Sequence, residues 1–312
     1  LITNSIFIAN QSLDGGGGAI CSSPGAAGTN VIVGCTFLDN ATPAVENTHG
    51  GAVKTDGGLV IFSDCVFSGN SSAGYGGAIY TRAANVTTGT AGLTLDRCAF
   101  SNNVAGGGGA VYLMSYSDGL AMTSCTFVDN LATNDSGAGV LACGPYPAGA
   151  ALRLSVKDCV FKRNVAQKSF GGAFCASYDN WTHFGFVGSF ADCMFEDNVS
   201  RGGSGVAAWG TFTNCTFVGN VATNLANAAS TDNRGAAVYA YCQYTSQVTV
   251  PEATNLASFV RCTFTNNVCH GANGAAVTAK LGALSFVDCR VVDNASDTKA
   301  GNFGGAIALT KE

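Results

Sequence analysis

Apolar residues along this chain come in short runs, few longer than five, broken by Gly, Asn, Asp and Ser. LVIF begins at Leu59, LTL at Leu93, LRLSV at Leu152 and LSFV at Leu284. Runs of this length between turn residues predict short strands. A second pattern, C-x-F-x-x-N, is complete at Cys35, Cys65, Cys98, Cys125, Cys159, Cys193, Cys215 and Cys262. SIFIAN from Ser5 and CRVVDN from Cys289 are variants of it. A third pattern interleaves with these: GGAI at Gly17, GGAV at Gly50, GGAI at Gly76, GGAV at Gly108, then GAGV, GGAF, GSGV and GAAV forms, ending in GGAI at Gly304.

Ten copies of the cysteine pattern, 22 to 47 residues apart, make this a repeat protein. Each repeat holds three strand-like pieces and a variable loop, which describes one coil of a parallel β-helix. The expected fold is therefore all-β: a single solenoid domain over 1–312 with about ten coils and three strands per coil. At the spacing of paired strands, such a rod is roughly 45–50 Å long. Side-chain alternation turns Cys and Phe inward and the residues between and after them outward. Three ladders follow, with a small thiol at Cys35, Cys65, Cys98 and Cys125, a core aromatic at Phe37, Phe67, Phe100 and Phe127, and a turn amide at Asn40, Asn70, Asn103 and Asn130. A buried amide at a turn can bond its neighbours above and below.

GGA[IVF] together with F-x-x-N resembles the repeat signature of the chlamydial polymorphic outer-membrane proteins, over essentially the whole chain. The resemblance implies a right-handed parallel β-helix of the pectate-lyase-like group and a passenger-like role at a cell surface.

Composition narrows the function classes. Only 11% of the 312 residues are charged, against about 25% ordinarily, and the net charge is −5. Phosphate-rich partners are disfavoured, so no nucleic acid is expected. No run of about 20 apolar residues occurs, so no helical membrane span is expected. The chain opens inside a strand-like pattern without an initiator Met, and the last GGAI lies close to Glu312. The expectation is a segment of a longer chain or a subunit that stacks end to end.

The candidate chemistry is sparse. Polysaccharide hydrolases or lyases need clustered carboxylates or a calcium site. Here the Asp residues recur just before Cys (Asp64, Asp96, Asp158, Asp192) or just before Asn (Asp39, Asp129, Asp197), as turn residues do. No catalytic residue, metal or cofactor is assigned. Cysteine spacings near 30 residues exclude C-x-x-C metal and redox motifs. The ladder cysteines are expected to be reduced, and Cys143 with Cys175 and Cys242 with Cys269 are the disulfide candidates. N-x-S/T occurs nine times. Asn85, Asn134 and Asn180 fall in loop-like stretches and are the better glycan acceptors, which suggests a secreted glycoprotein. One long insertion gathers Tyr178, Trp181, His183 and Phe184 into a candidate binding loop. Outward apolar residues, among them Ile6, Ile8, Leu38, Val66, Val128, Val160, Met194 and Val218, form an apolar stripe.

These readings point to a non-enzymatic extracellular structural protein, a rod in a cell-surface fibre, hair or matrix that associates with itself or with other surface proteins. An adhesin-like module binding a receptor or glycans through the 175–189 and 221–257 loops is the alternative. A polysaccharide lyase or hydrolase stands third.

Overall fold

The computed structural model describes residues 1–25, 28–43, 48–82, 92–114, 119–144, 152–178, 186–201, 205–223, 235–241, 256–270, 274–280, 283–297 and 305–310. Its elements are strands, and among the described residues no helix is long and apolar enough to cross a membrane.

One coil shows the plan. Leu59–Ser63, Val66–Ser68, Ser71–Ser72 and Ile79–Arg82 follow each other, and each contributes to a different sheet. Three sheets contain ten strands and the third in coil order contains nine. Every pairing is parallel and residue for residue with the next coil, as in Phe37↔Phe67↔Phe100. The chain is thus a parallel β-solenoid with four strands per coil rather than three. The extra strand follows the ladder Asn and is only two or three residues long, too short for alternation to reveal it.

Two corners of each coil need the left-handed conformation. One residue stands before the inward Cys (Asp64, φ 54°; Arg97, 49°; Ser124, 53°) and the other before the ladder Asn (Asp39, 51°; Asp129, 57°; Arg163, 53°). Gly, Asn and Asp adopt this region most cheaply, which explains the recurrent Asp residues as turn chemistry. The glycine pair makes the third corner. Gly50 has φ 72°, and a Cβ on Gly51 would lie 2.1 Å from the Gly77 carbonyl oxygen and 2.5 Å from that of Ser71. The close approach of two neighbouring coils' backbones therefore requires the second glycine here.

The lumen is filled by Phe rings. Those of Phe37, Phe67, Phe100, Phe127 and Phe161 stack with centroids 4.6–4.9 Å apart, and the column continues through Phe195, Phe217 and Phe264. A second column, Phe190, Phe212, Phe259 and Phe286, runs beside it in the first sheet and meets it edge to face. Both are offset or edge-on arrangements that aromatic quadrupoles favour.

Candidate functional site

The ladder Asn residues from Asn40 to Asn267 are fully buried, and the ladder bonds in one direction. The main-chain N and Nδ2 of Asn70 both donate to Asn103 Oδ1, at 3.1 and 3.0 Å, while Nδ2 also donates to the Phe37 carbonyl of the preceding coil at 3.0 Å. The same pattern joins Asn103 to Asn130, Asn130 to Asn164, and so on to Asn267 and Asn294. Each amide thus ties three successive coils together.

A thiol column runs parallel to it, five residues earlier in each coil. Cys35, Cys65, Cys98 and Cys125 are buried thiols. The Cys98 thiol donates to the Asp96 and Phe62 carbonyls, with Sγ–O distances of 3.3 and 3.5 Å. A thiolate there would face two carbonyl oxygens in an apolar core, so the neutral thiol is the held form. Hydrogen bonds to the neighbouring thiols Cys125 and Cys65, together with burial, push Cys98 up.

The expected Cys143–Cys175 disulfide is corrected by the register. Leu141 pairs with Cys175 and Cys143 with Ser177, a two-residue offset. That puts the two Cα atoms about 8 Å apart, beyond disulfide reach. Cys175 is a free thiol, pushed well up by burial. Cys269 is buried, and its intended partner Cys242 lies outside the described residues.

The sequons divide sharply. Asn40, Asn70 and Asn198 are fully buried and their amides are engaged within the ladder. Asn134 is exposed, and its Oδ1 accepts a 2.7 Å hydrogen bond from Lys168. Asn85 and Asn180 lie outside the described residues, as do Trp181, His183 and Phe184 of the candidate binding loop. Tyr178 ends the strand Phe174–Tyr178.

Charged side chains sit at the corners. Arg97 forms a two-pronged ion pair with Asp64 across one coil boundary, at 2.7 and 2.9 Å, and Arg163 does the same with Asp129, at 2.8 and 2.7 Å. The guanidinium hydrogen bond holds each carboxyl below its usual range. Among the described residues, no three His, Cys, Asp or Glu side chains converge on a point that could hold a metal ion. A groove of about 300 Å³ crosses the outside of the first sheet, and Arg153 is the single charged side chain among its lining residues.

Of the outward apolar stripe, Ile6 is 68% exposed, Ile8 57%, Val66 41% and Met194 40%. Leu38, Val128, Val160 and Val218 are half-buried.

The structure also holds a second core on the outside of the fourth sheet, which alternation alone did not reveal. Tyr80, Tyr112, Leu141, Cys175, Ala207 and Tyr239 form one register column, point outward and are nonetheless buried. The residue just before the glycine pair folds back over them: His49 stacks on Tyr80 at 4.5 Å and Tyr75 packs against Tyr112 at 4.6 Å. Tyr directly after the inward residue, as in GGAIY, GGAVY and GAAVY, was the available signal.

Four parallel sheets, a one-way amide ladder and stacked aromatics define a β-solenoid repeat protein. Residues 64–82 and 97–113 match the Chlamydia polymorphic membrane protein repeat, so the chain carries repeats of the kind its motifs resemble. It is also 39% identical over 85 residues to the probable autotransporter YfaL of Escherichia coli (strain K12), a stretch covering 26% of this chain and 7% of that protein. No solved structure matches the chain.

Proposed function

We propose that this chain is a non-enzymatic structural rod displayed at a bacterial cell surface, serving as a stalk within a larger fibre or matrix. The supporting observation is the lengthwise continuity of its bonding: amide, thiol and aromatic columns pass from coil to coil through the described residues. Such columns stiffen a rod along its axis. The likeness to an autotransporter and to a membrane-protein repeat supports the surface location. Partners in this reading are further copies of the chain or other surface proteins.

The test uses cells producing the full-length parent protein. Antibodies to the rod should label intact cells, and deleting residues 179–185 and 242–255 should leave both labelling and cell adhesion unchanged. Labelling only after permeabilisation would sink the surface placement. Adhesion lost while the rod stays folded and displayed would replace the structural role with an adhesive one.

A further inference from the structure

The cysteine column supplies metal-ligating groups whose coordination chemistry the structural role does not require. Nine thiols occupy it: Cys35, Cys65, Cys98, Cys125, Cys159, Cys193, Cys215, Cys262 and Cys289. All but the last stand two residues before an inward Phe in the same register, so ring spacing measures the rise from one rung to the next. The rise is 4.6 Å between Phe100 and Phe127, 4.8 Å between Phe67 and Phe100, and 4.9 Å between Phe195 and Phe217. Side chains repeated by a pure translation carry their sulfur atoms the same distance apart.

An ion midway between the Cys98 and Cys125 sulfurs would lie about 2.3 Å from each, the length of a metal–thiolate bond. The Cβ–Sγ bonds point across the rod and the ion would lie along its axis, close to the bond angle that sulfur prefers. Each gap offers two sulfur donors and no more. That suits a soft cation content with linear coordination and rejects zinc, which takes four ligands. Charge selects further, because two thiols meeting a divalent cation give a neutral product, 2 R–SH + M²⁺ → R–S–M–S–R + 2 H⁺. A monovalent cation between two thiolates would leave a net negative charge in an apolar core, which is costly. We infer that consecutive rungs of the column, Cys98 and Cys125 foremost, form linear two-thiolate sites for a soft divalent cation of the Hg(II) class.

The sealed core calls for loading while the chain folds. The full reduced chain is refolded without oxygen in excess mercuric chloride and washed with excess glutathione. Mercury is then counted by native mass spectrometry, with folding followed by circular dichroism. Nine rungs hold at most four separate neighbour pairs. Cys125→Ala splits the column into three and five rungs, which hold one and two pairs, a total of three. Cys98→Ala splits it into two and six rungs, which hold one and three pairs, still four. Cys125→Ala should therefore retain one mercury fewer than the parent, whereas Cys98→Ala should retain the same number. Cys193→Ala, which splits the column into five and three, should repeat the loss and serves if Cys125→Ala does not fold. X-ray absorption should show two sulfur neighbours at about 2.3 Å. Equal counts in all variants, three or four sulfur neighbours, or mercury retained only with loss of the β-sheet signal would each overturn the proposal.

Discussion

Asn40 and Asn70 stand on neighbouring coils, and two donors of the first, its main-chain N and its Nδ2, converge on the single Oδ1 of the second at 3.0 Å each. Both residues are fully buried. The amide side chain therefore does work that a backbone strand pair cannot: it satisfies a corner where the ladder of strand hydrogen bonds is interrupted.

Removing a rung from the middle should be expensive. Asn130→Ala leaves the Asn103 main-chain N and Nδ2 without their acceptor and the Phe100 carbonyl without its donor. Each orphaned buried group costs about 1–3 kcal/mol. The expected loss is about 3 kcal/mol or more, read from urea unfolding. A loss below about 1 kcal/mol would mean that water or a neighbouring group takes over the ladder.

A corner should be improvable. Ser124 is exposed and held at φ 53°, whereas Gly34 occupies the same corner three coils earlier in the column at φ 63°. Left-handed backbone costs a side-chain-bearing residue about 1–2 kcal/mol, part of which the added freedom of unfolded Gly returns. Ser124→Gly should raise stability by about 0.5–1 kcal/mol in the same urea assay. Destabilisation would show that the Ser hydroxyl has a role at this corner.

The thiols should divide by burial. Cys21 is exposed, whereas Cys35, Cys65, Cys98, Cys125, Cys159 and Cys175 are buried. A thiol reagent added to the reduced native rod should modify Cys21 and leave these six untouched until denaturant is added, as peptide mass mapping would show. Fast modification of Cys98 or Cys125 in the folded rod would contradict the sealed core.

His49 should make the rod sensitive to mild acid. Burial first, then Lys54, lowers its pKa below 6.5, with Arg82 acting the same way and Asp56 opposing them. Its Nδ1 accepts a 3.2 Å hydrogen bond from the Tyr75 main-chain N, which requires the neutral ring. As pH falls below 6.5 the unfolded chain takes up this proton before the folded one does, so stability from neutral His49 is complete above that pH and declines towards the folded pKa. His49→Gln should flatten the stability–pH slope in that window. An unchanged slope would assign it to other groups.

Local periodicity was enough to read the coils, the inward Cys and Phe, and the Asn ladder, because a repeated solenoid makes each residue's neighbour a copy of itself. What lies inward in one coil lies inward in all of them, so Cys35, Phe37 and Asn40 could be placed from their spacing alone. Three features needed the tertiary structure. The strand after each ladder Asn, such as Ser71–Ser72, is too short to carry a periodic signal and exists through its pairing with the coils on either side. Burial of Tyr80 and Tyr112 depends on His49 and Tyr75 folding back over an outward face, a choice made by packing rather than by alternation. The separation of Cys143 from Cys175 is set by a two-residue register offset, which cysteine counting does not contain.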